Sequence, residues 1–167
     1  TFASLATSNN FGTIGSVAGA AATQYANDIG DIVDMLQAAG AHNIIVWNTP
    51  NLGTAPAIVS GVPFTASGLT GAQLGSLVAG TMNGALQTRL AGEVGVKTFD
   101  LYGLAAKAAQ NGFTNTTDAC GAPSNSAVCP NINTALFWDG IHPTTAGHAF
   151  IASQMAVQEV AEYMRDL

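Results

Sequence analysis

Charged side chains are scarce in this sequence, and basic ones are the scarcest. Only 8% of the 167 residues are charged, with four Lys and Arg against ten Asp and Glu and a net charge of −6. The four cations lie far apart in sequence, whereas nucleic-acid binding needs clustered Lys and Arg. We therefore expect no nucleic-acid partner, and the same shortage disfavours binding to an anionic membrane surface.

Long apolar runs are missing as well. No stretch approaches the roughly 20 apolar residues of a membrane-spanning helix, so we expect no membrane span. Apolar residues still make up 48% of the chain, which is enough for one domain with a real core. The sequence starts at Thr1 without an initiator Met or a basic, signal-like segment. We expect that a preceding segment was removed or left out.

Cysteine occurs only twice, as Cys120 and Cys129 in the stretch CGAPSNSAVC. Two cysteines so close together, with Gly and Pro between them, favour a local disulfide, and a pair of free thiols is the alternative. A disulfide indicates an oxidising compartment, so we expect a secreted or cell-surface protein. A zinc site would need more ligands nearby than this stretch offers.

Two long amphipathic helices are predicted from apolar residues that recur at three- and four-residue steps. The first covers residues 15–39 and ends at Gly40, which is a good stop signal, and the second covers residues 70–93. A last helix is expected after Thr144 or Thr145, because either hydroxyl can cap its first turn.

Two strands and a short helix separate these long helices. The stretch HNIIVWN at His42–Asn48 is apolar without alternation, as in a parallel strand buried on both faces, and VGVKTFDL forms a second strand that ends near Asp100. A short helix is expected at residues 101–110. Alternation of helix and strand predicts a three-layer α/β fold with a parallel sheet. The second strand can pair with one edge of the first strand, but the sequence offers no convincing strand for its other edge. Part of the sheet is therefore expected to be missing.

The stretch FWDGIHPTTAGH places an acid, Asp139, three residues before an imidazole, His142. A histidine acts as a general base when a carboxylate holds its Nδ1–H and leaves Nε2 free. Gly140 allows the turn a positive φ, and Pro143 restricts His142 to an extended backbone. The alternative is that Asp139 caps a turn and His142 is a structural or surface histidine.

This stretch resembles the last conserved block of the SGNH (GDSL-type) hydrolases, which are esterases, lipases and related carbohydrate esterases. The stretch QAAGAHNIIVWNTPNLGTAP is similar to the helix, strand and loop midway through that family, and GFTNTTDAC resembles a cysteine-containing loop of many secreted members. The resemblance implies a three-layer α/β/α, flavodoxin-like fold, with residues 1–167 as the C-terminal half of one domain and of its sheet. It also implies that Asp139 and His142 belong to the triad of an ester hydrolase.

The nucleophile expected from that resemblance is not found in the sequence. There is no G-D-S-[LY] motif, and Ser76 in LGSL lies within a predicted helix, while Ser16 is no better placed. Asn27 and Asp28 form an N-D pair, but in mid-helix and without the preceding Gly of the family's oxyanion block. The nucleophile and the oxyanion donors are therefore expected on a missing N-terminal half. The isolated chain is expected to be inactive.

Substrate contacts are expected in the loop NTPNLGTAP, because open α/β sheets bind ligands at the carboxyl ends of their strands. Pro50, Asn51 and Leu52 are the candidates, together with Trp138; an ordinary connecting loop is the alternative. The expected substrate is an ester, either a lipid or an acylated carbohydrate. The expected protein partner is the N-terminal half of the same enzyme.

No cofactor and no metal are expected. His148 lies six residues after His142, a spacing that does not place both on one helix face with Asp139. The competing interpretation of the whole chain is a non-catalytic secreted module that uses the remaining fold for binding or assembly.

Overall fold

The computed structural model describes residues 11–61, 68–121 and 129–165, where helices and short strands alternate along the chain. The regular elements are, in chain order, α1 (Phe11–Ala38), β1 (Ile44–Trp47), α2 (Pro56–Gly61), α3 (Gly71–Arg89), β2 (Val96–Phe99), α4 (Leu104–Ala108), β3 (Asn115–Ala119), β4 (Ala135–Phe137) and α5 (Thr145–Arg165). Short 3₁₀ turns lie at Leu52–Thr54, Ala109–Asn111 and Ile132–Thr134. The three long helices and the first two strands confirm the predicted order of elements.

The ends of the long helices follow from local sequence. Gly40 has a φ of +93°, and the amide of Ala41 donates to the Leu36 carbonyl at 3.0 Å, which ends α1 in a Schellman-type turn. Helix α3 starts with a capping box: Gln73 N donates to Thr70 Oγ1 at 3.1 Å, and Thr70 N donates to Gln73 Oε1 at 2.9 Å. The predicted boundaries are therefore close to the observed ones.

The first strand pair lies between two layers of helices. Strands β1 and β2 are parallel, with Ile44 opposite Val96 and Trp47 opposite Phe99. One face of the pair packs on α1 and α3 through a cluster that includes Val33 and Leu86. On the other face, Phe99 packs with the inner sides of α4 and α5. This arrangement is the predicted α/β/α layering with a parallel sheet.

Strand β1 is less covered than the sequence predicts. Ile44 and Val46 are each 9% exposed, but Trp47 at its carboxyl end is 45% exposed. Among the residues that the structure describes, β1 has β2 as its strand neighbour on one edge and no strand on the other. The expectation that further strands of the sheet lie outside this chain stays a prediction.

A second pair of parallel strands was not predicted from the sequence. Residues 115–119 (β3) pair with residues 135–137 (β4), with an irregularity in the register, although this part of the chain was expected to be irregular. The prediction failed because NTTDA is polar and ALF is only three residues long, so neither shows a strand pattern. The disulfide prediction is confirmed, since Cys120 and Cys129 are bonded and Cys120 is fully buried.

Candidate active site

One buried hydroxyl group, that of Thr144, connects the two elements on either side of the turn that carries Asp139 and His142. Thr144 is 2% exposed; its Oγ1 donates to the Ala135 carbonyl at 2.7 Å and accepts from the Gly147 amide at 2.9 Å. The first bond reaches strand β4 and the second caps helix α5, so the two elements that flank the turn are tied together. Of the two predicted capping residues, Thr144 is therefore the cap.

Asp139 and His142 are in direct contact within this turn. Asp139 Oδ2 lies 2.8 Å from His142 Nδ1, while Asp139 Oδ1 accepts the backbone amides of Ile141 at 2.8 Å and His142 at 2.7 Å. The amides of His142 and Ile141, followed by the His142 side chain, lower the pKa of Asp139 from its ordinary 3.8 to about 2. The carboxylate is therefore ionised at neutral pH.

The ionised Asp139 determines which ring nitrogen of His142 carries a proton. Because a carboxylate without a proton can only accept hydrogen bonds, His142 must donate from Nδ1, and its neutral form then has a free lone pair on Nε2. The His142 side chain is 73% exposed and that of Asp139 is 33% exposed. The arrangement can accept a proton at Nε2 from a group that approaches this surface, and it can stabilise the imidazolium that results.

The turn does not use the conformational freedom that Gly140 allows. The φ of Gly140 is not positive, so the glycine is not required here for a left-handed backbone. The turn needs a glycine for space instead. A Cβ built on Gly140 would lie 2.7 Å from the Cβ of Ala57, which belongs to α2 and whose amide donates to the Gly140 carbonyl at 2.9 Å.

Trp138 contacts the disulfide segment. Its backbone N–H donates to the His142 carbonyl at 2.8 Å, and its carbonyl accepts from Gly121 at 2.6 Å. Its ring lies so close to Gly121 that a Cβ there would be 2.6 Å from a ring carbon. Trp138 is 43% exposed. These contacts support the turn, and a role in substrate binding stays a prediction.

Pro50, Asn51 and Leu52 lie together at an apolar cavity of about 290 Å³. Ile141 and Pro143, the two neighbours of His142 in sequence, line the same cavity, so it adjoins the Asp–His turn. The sequence did not identify several other lining residues, because their apolar patterns predict ordinary core positions. These are Trp47, Leu104, Phe150 and Ile151.

Asn51 also has a structural task that the sequence did not indicate. Its Oδ1 accepts the Gly53 amide at 2.9 Å and the Ser76 hydroxyl at 2.8 Å. These bonds fix the loop after β1 on helix α3. They also occupy the Ser76 hydroxyl, which lies within that helix as predicted.

The serines of the described residues are all bonded away from the Asp–His turn. Each hydroxyl donates to its own helix or, for Ser76, to Asn51, and none is bonded to His142; they are Ser16, Ser60, Ser76 and Ser153. Asn27 and Asp28 lie in mid-helix in α1, as predicted, and an Asp28 carboxylate oxygen accepts from Gln24. Within residues 11–61, 68–121 and 129–165, the Asp139–His142 pair therefore has no serine hydroxyl bonded to it.

Within residues 11–61, 68–121 and 129–165, no group of three or more His, Cys, Asp or Glu side chains is arranged to hold a metal ion. None of the helices described here combines the length and the apolar character needed to cross a membrane.

Comparison with known proteins adds a family to this geometry. No curated protein matches the chain. A family model described as GDSL-like Lipase/Acylhydrolase matches residues 7–155, a stretch that includes both strand pairs and the Asp–His turn. The match covers far more than half of the sequence, and it agrees with the resemblance seen in the last block and with the α/β fold. This chain belongs to the GDSL-like lipase/acylhydrolase family of hydrolases.

Proposed function

We propose that this chain supplies the base and the acid of a carboxylic ester hydrolase that acts through a Ser–His–Asp triad. The observation that carries the proposal is the 2.8 Å contact between Asp139 Oδ2 and His142 Nδ1, on a turn fixed by two further bonds to Asp139 Oδ1. Membership of a lipase/acylhydrolase family supports the same reaction class. The pair is pre-arranged, so no rearrangement is needed before proton transfer.

In the proposed reaction, His142 Nε2 removes the proton of a serine hydroxyl as its oxygen attacks the ester carbonyl. The ionised Asp139 holds Nδ1–H and stabilises the imidazolium. His142 then gives this proton to the departing alcohol, which leaves an acyl-serine. Water, deprotonated by the same Nε2, attacks the acyl-serine and releases the carboxylic acid and the free hydroxyl. These steps need neither a metal nor an organic cofactor.

The serine and the oxyanion donors are proposed to come from the N-terminal half of the same hydrolase domain. Two observations support this origin. The hydroxyls of the described serines are bonded elsewhere, and the exposed His142 has room for an approaching nucleophile. The strand-free edge of β1, among the described residues, could pair with a strand from that half.

The substrate is proposed to be a lipid or acylated carbohydrate whose apolar acyl group enters the cavity beside the turn. Pro50, Asn51 and Leu52 line that cavity, and Ile141 joins it to His142. A volume of about 290 Å³ is at the lower end of the range for ligand pockets. Trp138 is proposed to contact the rest of the substrate, since this residue is partly exposed near the turn. The disulfide supports a secreted or cell-surface location.

Hydrolysis of p-nitrophenyl butyrate by this chain combined with the N-terminal half tests the proposal. His142→Ala should lower kcat by at least about 10³-fold, because the base is lost, whereas either half alone should be inactive. His42→Ala, at the joint between α1 and β1, is the matched histidine control. A fluorophosphonate probe should label a serine of the N-terminal half, as located by peptide mass spectrometry.

The proposal fails if the combined halves hydrolyse the ester equally well after His142→Ala. If the probe labels Ser76 or another serine of this chain, the origin of the nucleophile is wrong and the base assignment can still stand. The second candidate function, a non-catalytic secreted binding or assembly module, is favoured if the combined halves form a stable complex that shows neither hydrolysis nor labelling.

A further inference from the structure

We propose that Ala57, on the short helix α2, is a positioning residue for the Asp139–His142 pair. It acts through Gly140, the residue that separates Asp139 from the amides that bind its carboxylate. The inference rests on the proposed function for its catalytic meaning, but the geometry it describes can be measured without catalysis.

A single peptide group connects Ala57 to the carboxylate. The Ala57 amide donates to the Gly140 carbonyl at 2.9 Å, and the N–H of the same planar peptide unit, that of Ile141, donates to Asp139 Oδ1 at 2.8 Å. Because the unit is planar, the bond at its oxygen sets the direction of its N–H. Hydrogen bonds in series also polarise one another, so the bond from Ala57 strengthens the one to Asp139.

The contact is tight as well as directional. A Cβ on Gly140 would lie 2.7 Å from the Ala57 Cβ and 3.5 Å from the Ala57 Cα. An alanine methyl has no torsion that could move it away, so one of the two backbones would have to shift. Since the φ of Gly140 is not positive, this spacing rather than backbone conformation explains why a glycine is needed here.

Ala57 can hold the turn in place because its own segment is anchored. Just before it, the turn Leu52–Thr54 packs on α3 so closely that a Cβ on Gly75 would lie 2.7 Å from the Gly53 amide nitrogen. Asn51 adds its bonds to Gly53 and Ser76. The loop that lines the cavity and the turn that carries the base are therefore held in one arrangement on α3.

A reciprocal exchange of size tests this role in the chain itself. Gly140→Ala adds a methyl group against Ala57, and Ala57→Gly in the same chain removes the methyl group that it meets. Titration of the Asp139 carboxyl carbon by ¹³C NMR should move in Gly140→Ala from about 2 towards 3.8, because the donated amide bonds are weakened. The double variant should return to the native midpoint. Gly84→Ala, where a Cβ on α3 would meet nothing within 4 Å, is the control for a Gly-to-Ala change.

A native midpoint in folded Gly140→Ala overturns the inference, as does a displaced midpoint that Ala57→Gly does not restore. If Gly140→Ala alone does not fold, the double variant decides: a native fold and midpoint support the contact, and continued failure to fold contradicts it.

A kinetic measurement separates this inference from the proposed function. With the N-terminal half added, Gly140→Ala should lower kcat about 10- to 100-fold at a nearly native KM, and the double variant should recover. If the titrations behave as expected and no variant hydrolyses esters, the proposed function fails while the positioning contact stands. If hydrolysis is found and Gly140→Ala is as active as the native chain, the inference alone is wrong.

Discussion

The two strand pairs of this molecule are built in different ways. The pair β1–β2 is held by side-chain packing, with Ile44 and Val46 against Val33 of α1 and Leu86 of α3. In the pair β3–β4 the polar strand β3 lies beside β4, which is buried, and the pair continues into backbone bonds from Cys120 to Phe137 and from Gly121 to Trp138 next to the disulfide. The Asp–His turn belongs to the second pair.

Because of this difference, we expect one part of the molecule to determine stability and another part to determine the geometry of the site. Apolar burial is strong but without direction, so small shifts of the first pair need not change the geometry of the turn. Hydrogen bonds are directional, and the turn depends on at least three of them: two amides donate to Asp139 Oδ1, and the Thr144 hydroxyl donates to Ala135. Changes on the face of the first pair that packs on α1 and α3 should therefore alter stability alone, whereas changes in the second pair should also alter the ionisation of Asp139.

The largest effect on stability is expected from a change in the core that packs against the first strand pair. Leu86→Ala removes a side chain that is 1% exposed, and it should lower the free energy of unfolding by about 2–5 kcal/mol because a cavity remains. Urea unfolding followed by circular dichroism measures this loss. Leu77→Ala on the same helix is the control, since Leu77 is 44% exposed. The Asp139 titration should stay native in both variants, and a displaced midpoint in Leu86→Ala would show that the two pairs are coupled.

Removal of the disulfide is expected to have a somewhat smaller effect on stability, and it should also change the titration of Asp139. Replacement of Cys120 and Cys129 by Ala should lower the free energy of unfolding by about 2–4 kcal/mol. It should also raise the Asp139 midpoint above about 2, because the segment bonded to Phe137 and Trp138 is released. A reducing agent should change the native protein in the same direction and leave the double variant unchanged. A native titration in the double variant would assign the disulfide to stability alone.

The sequence predicted the first strand pair well and the second poorly. Helices α1 and α3 carry regular apolar stripes, and their ends are set by local signals at Gly40 and Thr70, so a short window of sequence contains the information. Strands β1 and β2 pair across an even longer separation than β3 and β4, so separation in the chain is not what hid the second pair. What differs is the local pattern: β3 is the polar stretch NTTDA, which resembles a loop, and β4 is only three residues long.

The candidate site shows the same division. The proposed acid and base lie with the capping threonine in one stretch of sequence, and both the Asp139–His142 contact and the Thr144 cap form as expected. The need for glycine at position 140 could not be predicted, because its cause is Ala57, which is more than 80 residues away. Ile141 joins the cavity to the turn for a similarly non-local reason: the loop after β1 is folded against it.

The smallest effect concerns the dependence of stability on pH. The folded state holds the pKa of Asp139 at about 2, below its ordinary 3.8, so the ionised carboxylate stabilises the fold above about pH 4. That contribution should disappear as the pH falls through 3.8 towards 2, because both states then bind the proton. Asp139→Asn removes this titration. The difference in unfolding free energy between the native chain and Asp139→Asn should therefore shrink as the pH falls from about 5 to about 2.

Urea unfolding of both chains across that pH range measures the difference directly. Asp28→Asn, on helix α1, controls for the loss of one carboxylate elsewhere in the molecule. A difference that does not change with pH would mean that the amides of Ile141 and His142 hold Asp139 no more strongly in the folded chain than water holds it in the unfolded one. The turn would then owe its shape to the bonds of Trp138, Thr144 and Ala57, and the two strand pairs would differ in packing rather than in electrostatics.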